Sequence, residues 1–462
     1  MIKSLKRNFL FAFSAQGLQF LQSILISLLL PKLLGINEFG FWQLFVFYTQ
    51  YGGFFHFGLN DGIYLKVGGK KYDDLDYKPI AWQLRLSIII QMFFLMAIIF
   101  FFTLSNDSNR IFVIVCSCIY ILISNISSYL NFILQATNRI KEFSIGRLID
   151  IGIFVVLLIS FLIVAVDNYK YIIYSCILGR IAGLFFYVTK TTDISRLIFY
   201  KYEQTFFTDY IYNVSMGFVL VISNIASMLI LGVGRFMVDY YWGITAFSKV
   251  SYSIMMVNFF LLFINQASMV LFPELRTWTP KRISSFYAIV RNKLDLISPF
   301  VLLTYYPICF FVNYWIPDYK ESVYFLIYLL PLCIFDSKMQ LLCNTIFKVC
   351  NKVKVLLICN MLTVTLSSIL VLVSICIFKN IEFVVISMLI SIVFRSVISE
   401  YYLQKSLNME TTFNIFAMEI GMVVIFICIF IFFEVFTSIL LNLLFSTLCF
   451  FWRSRQTLWA KA

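Results

Sequence analysis

The stretch LLGINEFGFWQLFVF, residues 33–47, places a short polar segment between two apolar runs. A membrane-spanning helix needs about 20 predominantly apolar residues, and the runs on each side supply them. Gly35 and Gly40 permit a tight turn because glycine tolerates backbone conformations that other residues avoid. Asn37 and Glu38 supply polar groups that help to solvate the turn. The stretch therefore predicts two membrane-spanning helices joined by a short connection.

The composition excludes a soluble domain. The chain is 61% hydrophobic and 13% charged, and its mean hydropathy is +0.91, so too few polar residues are available to cover a water-exposed surface. Apolar runs recur from end to end without the alternation of a transmembrane β-barrel. The chain is therefore predicted to be an all-α polytopic membrane protein, with about fourteen helices at 9–30, 41–63, 81–103, 111–137, 147–166, 171–190, 208–232, 242–272, 292–313, 323–347, 353–378, 381–404, 413–433 and 435–452.

The positive charges predict the orientation. Most of the 36 Lys and Arg fall in one alternating set of predicted loops and at the chain ends, including Lys3, Lys6 and Arg7. By the positive-inside rule these loops and both termini are cytoplasmic. The opposite loops carry one basic residue each: Lys32, Arg110, Lys170, Arg235, Lys320 and Lys379.

Several partner classes are excluded by the same pattern. The basic residues are spread over many short loops instead of forming one patch, which argues against nucleic acid. No glycine-rich phosphate loop is present to bind ATP. The eleven cysteines include no Cys-x-x-Cys pair, and His56 is the single histidine, so we expect neither a metal site nor a disulfide framework.

An internal repeat predicts the domain organisation. NRIK at 138–141 and NKVK at 351–354 both follow the fourth helix of a predicted six-helix set. Two six-helix lobes in the same orientation would be parallel repeats, and two such bundles enclose a cavity, as in transporters. The predicted parts are an N-lobe over 1–190, a cytoplasmic linker over 191–207, a C-lobe over 208–405, and two C-terminal helices with a cytoplasmic tail over 406–462.

Three stretches resemble one family. PKLLGINEFGFWQLF (31–45), FGLNDGIYLKVGG (57–69) and LQATNRIKEFS (134–144) occur in an order and spacing similar to those of the flippase branch of the multidrug/oligosaccharidyl-lipid/polysaccharide (MOP) exporter superfamily, and in particular of Wzx-type flippases. The resemblance implies a multi-pass protein of the bacterial inner membrane that is a transporter and not an enzyme.

The resemblance also implies the substrate. A Wzx-type flippase moves polyprenyl-pyrophosphate-linked oligosaccharide units of O-antigen, the polysaccharide of lipopolysaccharide, or of a similar surface polymer. It moves them from the cytoplasmic to the outer leaflet by alternating access. Membrane lipid and other polysaccharide-assembly proteins are the further partners implied. No cofactor is expected. The energy would come from an ion gradient, with H⁺ and Na⁺ as the candidate coupling ions, or from consumption of the substrate outside.

Five basic residues remain after those of the loops and the span ends are counted, and each falls within a predicted helix: Lys249, Arg85, Arg180, Lys338 and Arg395. A cation at the centre of a bilayer costs at least about 2.5–3.5 kcal/mol, so each must face water or a partner. The resemblance implies a cationic cavity that binds the anionic pyrophosphate, and it favours Lys249, because the family often has a basic residue on helix eight. The alternative is an ion pair between helices, such as Asp336 with Arg395.

Other polar residues have two interpretations each. Gln16, Gln19 and Gln22 share one face of the first helix, where lipid II flippases have arginines, and they would bind sugar hydroxyls or neighbouring helices. His56 is a candidate for proton coupling or a structural residue. Asp61 is a second candidate for coupling or an interfacial residue. Asp336 is a third candidate for coupling.

Two other functions are consistent with the composition. A membrane-embedded polysaccharide polymerase or ligase usually has a large external loop, which the chain lacks. A cation-coupled drug exporter of the same superfamily usually has twelve helices and relies on buried carboxylates, whereas the predicted helices here contain mainly cations.

Overall fold

The computed structural model describes residues 16–103, 107–201, 203–409 and 413–459, and every regular element in these ranges is a helix. The start of the first predicted helix lies outside them. By length and composition, eleven of the described helices can cross a membrane, or up to twelve if the bent pair Pro317–Leu329 and Leu332–Val349 counts as one span. The chain divides into two compact units, the N-unit (Met1–Ile225) and the C-unit (Ala226–Ala462).

The N-unit contains six helices and the start of a seventh. They are α1 (Gln16–His56), α2 (Leu59–Val67), α3 (Tyr77–Thr103), α4 (Ser108–Ala136), α5 (Ile140–Val164), α6 (Tyr169–Lys190) and the first part of α7 (Gln204–Leu275). Their buried core includes Leu59, Ala81, Tyr129 and Ile133. The predicted linker 191–207 contributes Ile194 and Phe206 to the same core, so this segment packs against the N-unit helices.

The C-unit contains the rest of α7 and seven further helices. They are α8 (Pro280–Trp315), α9 (Pro317–Leu329), α10 (Leu332–Val349), α11 (Val353–Phe378), α12 (Ile381–Ser406), α13 (Phe413–Phe432) and α14 (Val435–Trp459). The two C-terminal helices expected from hydropathy are present as α13 and α14.

The first part of the chain folds back on itself at Gly35. Gly35 has φ 69° and ψ 178°, which interrupts α1. Leu18, before the break, lies against Gly152 of α5. Trp42, after it, stacks on Phe154 of the same helix, with ring centroids 6.1 Å apart. A continuous helix would separate residues 18 and 42 by about 36 Å, so α1 consists of two antiparallel helices, as the opening stretch predicts.

Glu38 in this turn has a more specific role than solvation. Its Oε2 accepts a hydrogen bond of 3.0 Å from the backbone N–H of Tyr169, the first residue of α6. A carboxylate at the start of a helix satisfies a free amide and interacts favourably with the helix dipole. Glu38 therefore anchors the turn to the N-terminus of α6.

A second hairpin lies within α7. Gly243 has φ 77° and ψ −176°. Across the break, Arg235 Nη2 donates to Ser251 Oγ at 3.0 Å, and the Arg235 guanidinium lies 5.1 Å from the ring centroid of Phe247. Sixteen residues of continuous helix would span about 24 Å, so α7 also folds back. The fourteen membrane crossings and the cytoplasmic termini stay predictions. The count of eleven or twelve helices is below fourteen because each of the two hairpins is counted as one helix.

The repeated turns have the same backbone geometry. Asn138 and Asn351 both adopt left-handed φ, 61° and 56°. In each turn the next amide donates to the carbonyl five residues back, at 2.8 and 2.7 Å, which is the hydrogen bond of a Schellman helix end. The two turns therefore share a local backbone geometry as well as a sequence pattern, and the duplicated six-helix architecture stays a prediction.

Glycines bring two helices of the N-unit into backbone contact. A Cβ atom on Gly62 would lie 1.8 Å from the carbonyl oxygen of Asn213, and one on Gly217 would lie 2.0 Å from that of Gly58. Such distances are far inside van der Waals contact, so α2 and the first part of α7 can approach only because these positions lack side chains.

We expect Gly62→Ala to lower the free energy of unfolding by about 1–3 kcal/mol or more, because the methyl group forces the two backbones apart. Thermal unfolding of the purified protein in detergent measures this. Gly152→Ala is the matched control in the same unit, since its nearest foreign atom is Leu18 Cδ2 at 3.8 Å. Equal melting temperatures for the two variants would contradict the close packing.

Candidate functional site

Arg180 of the N-unit is held by two neighbouring helices. Its Nη1 lies 3.0 Å from Asp150 Oδ2 on α5, and its Nη2 donates to the Tyr120 hydroxyl on α4 at 2.7 Å. Asp150 is within reach because α6 approaches α5 closely at Gly179, where a Cβ atom would lie 2.5 Å from the Asp150 carbonyl oxygen. The charge of Arg180 is therefore compensated inside the unit.

Arg147 of α5 is the first residue of the predicted span 147–166. The helix begins at Ile140, two turns earlier than the predicted apolar span, so Arg147 lies within it and is half-buried. Its Nη2 donates to Gln19 Oε1 of α1 at 2.9 Å. Among the described residues no carboxylate lies within ion-pair distance of it.

Arg85 of α3 is the least constrained of the five predicted cations. Its side chain is half-buried, and it makes no hydrogen bond or ion pair with any other residue that the structure describes. The other four, Arg180, Lys249, Lys338 and Arg395, each have an acidic partner.

The remaining N-unit candidates are distributed along α1 and α2. Gln16 and Gln22 are half-buried, and the buried Oε1 of Gln16 has no hydrogen-bond partner among the described residues. His56 is buried, and its Nδ1 accepts from the N–H of Gly58 at 3.1 Å, which stabilises the turn before α2. Asp61 lies in the first turn of α2, where the helix dipole favours a carboxylate.

The C-unit contains an ionic cluster, formed by Arg291, Asp295, Lys338, Glu400, Glu419 and Arg453. Arg291 Nε lies 2.6 Å from Glu400 Oε2, and Lys338 Nζ lies 2.6 Å from Asp295 Oδ1. Lys338 also contacts Glu419, and Arg453 donates to the backbone carbonyl of Asp295. Three positive and three negative side chains therefore balance one another.

This ionic cluster joins five helices: α8, α10, α12, α13 and α14. Its members are almost completely buried, Lys338 at 0% and Glu419 at 1% exposure. Tyr287 extends it, donating to Glu400 at 3.1 Å and accepting from Gln404 at 3.0 Å. The C-terminal helices are thus attached to the C-unit by buried charge.

Sequence analysis placed Arg291 outside its predicted helices. It placed Lys338 inside a helix and named no partner for it. The helix begins at Pro280 instead of residue 292, because the apolar run starts later than the helix. The spacing of Arg291 and Asp295, four residues apart, is the sequence feature that indicates a shared helical face.

Arg395 forms the interhelical ion pair with Asp336 that sequence analysis gave as the alternative to a place in a cationic cavity. Its Nη1 lies 3.6 Å from Asp336 Oδ1. Its Nε donates to Asn360 at 3.0 Å and its Nη2 to Ser227 at 2.7 Å. The guanidinium is buried and connects helices α7, α10, α11 and α12. Its contacts describe a structural ion pair.

Lys249 of α7 has a different environment. Its Nζ lies 2.6 Å from Glu321 Oε2, and the Glu321 side chain is 72% exposed. An ion pair of this kind contributes little to stability because water screens it. Lys249 can therefore exchange this partner for another anion at small cost.

Comparison with solved structures identifies proteins of the same fold. A lipid II flippase MurJ in an inward closed conformation matches with a TM-score of 0.66 and 12% sequence identity, over 97% of both chains. A multidrug resistance MATE transporter of the MOP superfamily, facing inward, matches with a TM-score of 0.62 and 12% identity, over 85% of this chain and 94% of that one. A MATE in a bent conformation matches with a TM-score of 0.50 and 10% identity, over 85% and 97%.

A scan against family models and a search of curated proteins each find no match. Over the described residues, the chain shares the all-helical fold of these lipid II flippase and MATE structures, at 12% sequence identity. The Wzx-type assignment stays a prediction.

We expect Lys338→Met to lower the free energy of unfolding by about 3–5 kcal/mol, because it leaves buried carboxylates without their cation. Lys249→Met is the control, because it also removes one ammonium group from an ion pair. Its free energy of unfolding is expected to change by at most about 1 kcal/mol. Thermal unfolding of both variants in detergent tests the difference. A Lys338→Met protein as stable as the control would show that the ionic cluster does not hold the helices together.

Proposed function

We propose that this protein is a flippase for a polyprenyl-pyrophosphate-linked oligosaccharide. It would move a repeat unit of O-antigen or a similar surface polysaccharide from the cytoplasmic to the outer leaflet of a bacterial inner membrane by alternating access. The observation that carries the proposal is the fold match to a lipid II flippase over 97% of both chains. The motifs at 31–45, 57–69 and 134–144 support the Wzx branch.

The extent of the matches favours a flippase over a drug exporter. The lipid II flippase covers 97% of this chain and the MATE transporter covers 85%. The difference is 12% of 462 residues, or roughly 55 residues, which is close to the length of the C-terminal part, 406–462. Helices α13 and α14 are thus consistent with the longer, flippase-type chain.

The charges favour an anionic substrate. Arg85 is a half-buried cation without a protein partner among the described residues, and Lys249 is held by an exposed carboxylate. Five buried or half-buried carboxylates, in contrast, have basic partners: Asp150, Asp295, Asp336, Glu400 and Glu419. Arginine and lysine bind pyrophosphate by charge-assisted hydrogen bonds. Gln16 and Gln22 supply neutral polar groups suited to sugar hydroxyls.

Drug export is the second candidate because two matched structures are MATE transporters. It would require an acidic group free to bind a cationic drug or a coupling ion. The candidates for coupling to H⁺ or Na⁺ are Asp61, in the first turn of α2, and His56, whose Nδ1 is already hydrogen-bonded in a turn.

Deletion of the gene in the native host is expected to abolish surface polysaccharide and to trap intact lipid-linked repeat units on the cytoplasmic face. Gel analysis of surface polymer and extraction of lipid-linked units measure both effects. Reintroducing the chain with Arg85→Gln should leave export at about a tenth of wild type or less, because one charge-assisted contact to the pyrophosphate is lost.

Lys71→Gln is the control for Arg85→Gln, since it removes one positive charge from an exposed position. Unchanged polysaccharide together with increased sensitivity to cationic dyes after deletion would favour drug export. Single repeat units that reach the surface without polymerising would favour the polymerase alternative. Normal export by Arg85→Gln at wild-type protein levels would remove Arg85 from the site.

A further inference from the structure

We propose that a cavity between α1, α3 and α4 of the N-unit, here called the apolar cavity, binds a segment of the isoprenoid tail of the lipid-linked substrate. This site rests on the proposed function, which supplies the tail, and it concerns the hydrocarbon part of the substrate instead of its pyrophosphate. The walls of the apolar cavity include Tyr48 and Phe55 of α1, Leu95 and Phe102 of α3, and Ser117 and Ile121 of α4.

The size and lining of the apolar cavity suit a hydrocarbon chain. Its volume is about 200 Å³, and its wall consists almost entirely of carbon atoms. Because a dry apolar cavity of roughly 150 Å³ takes up benzene, the volume here accommodates about eight carbon atoms, which is more than one isoprene unit. Water is a poor occupant, since a buried water needs about two to four polar partners.

The inner end of the apolar cavity is held open by hydrogen bonds. The segment Gly52–His56 at the end of α1 is a 3-10 helix, and the carbonyl oxygen of Gly52 accepts from Asn125 Nδ2 of α4 at 2.9 Å. The same Nδ2 donates to Gln91 Oε1 of α3 at 2.8 Å. Asn125 therefore ties α1 and α3 to α4, one helical turn beyond Ile121. A cavity whose walls cannot collapse lowers stability unless it is filled.

The other end of the apolar cavity reaches the surface that faces lipid. Phe102, in the last turn of α3, is 39% exposed, and its neighbours Phe100 and Phe101 are 73% and 68% exposed. Because α3 is long and apolar enough to cross a membrane, these rings face the hydrocarbon of the bilayer. Ile121 lies roughly 20 Å along α4 from Ser108, where that helix begins. A chain that enters beside Phe102 can therefore extend toward the middle of the membrane.

Ser117 favours an isoprenoid over a saturated chain. Its Oγ is buried and has no hydrogen-bond partner among the described residues, and the residue is 2% exposed. A buried hydroxyl without an acceptor costs free energy. The double bonds of an isoprenoid offer π electrons that accept a weak hydrogen bond, as aromatic rings do. A saturated acyl chain offers no acceptor, so the occupant that satisfies Ser117 is the isoprenoid.

Photolabelling of the purified full-length chain in nanodiscs of phosphatidylethanolamine and phosphatidylglycerol tests this site. One probe is geranylgeraniol with a diazirine within its chain, and the other is a saturated alcohol of the same length with the same group. Peptide mapping is expected to find the isoprenoid label on the cavity residues of α3 and α4, about twofold to fivefold above the saturated label, because only the isoprenoid offers Ser117 an acceptor. Ser117→Ala is expected to abolish this preference.

Ile121→Trp is expected to reduce the isoprenoid label in the apolar cavity to about a tenth or less, because a close-packed indole leaves no room for a chain. Ile119→Trp is the matched control, since Ile119 lies on the same helix at 44% exposure. Ser117→Leu is the second filling variant if Ile121→Trp does not fold. Equal labelling by the two probes would show a general site for lipid chains. That result, or an isoprenoid label that persists in the filled variant, would overturn the proposal.

The outcome is separable from the fate of the proposed function, because labelling does not require export. If the wild-type gene restores polysaccharide export in the deletion strain while the isoprenoid probe leaves the apolar cavity unlabelled, the flippase function stands and the tail site is wrong. If deletion of the gene leaves surface polysaccharide normal, the proposed function fails, and the assignment of the apolar cavity to the substrate tail fails with it.

Discussion

A charged side chain inside a membrane-spanning helix is expensive unless a partner or water offsets the cost, and the polar interior of both units follows from this requirement. In the C-unit, three acids and three bases form the ionic cluster and offset one another. In the N-unit, Arg180 is paired with Asp150, while Arg147 has an amide partner and no ion pair among the described residues. The two units thus meet the same constraint differently: the charges of the ionic cluster balance one another, and the group of Arg147, Asp150 and Arg180 retains a net positive charge.

Much of the backbone was predictable because glycine and apolar periodicity act locally. The turn at Gly35 was expected from its neighbours alone. The turns at Asn138 and Asn351 could be matched because four residues in each produce the same helix end. Helices α13 and α14 were expected from uninterrupted apolar runs. In each case the feature depends on residues that are close together in the chain.

The candidate site was less predictable because hydropathy detects contact with lipid and not the limits of a helix. Arg147 is the first residue of one predicted span and Arg291 lies just before another, yet their helices begin earlier and place both residues against other helices. An ion pair between Arg395 and Asp336 could be suggested from the sequence. The partners of Lys338 could not, because they lie on α8 and α13, far from Lys338 in the sequence. Which cations remain unpaired is a property of tertiary packing.

The composition of the ionic cluster has a consequence for the two C-terminal helices. Helices α13 and α14 contribute Glu419 and Arg453, one negative and one positive charge. Without them, Arg291 and Lys338 would still face Asp295 and Glu400, and the remaining four charges would sum to zero. The C-terminal pair therefore adds no net charge to the ionic cluster, and the four charges of the other helices balance one another with or without it.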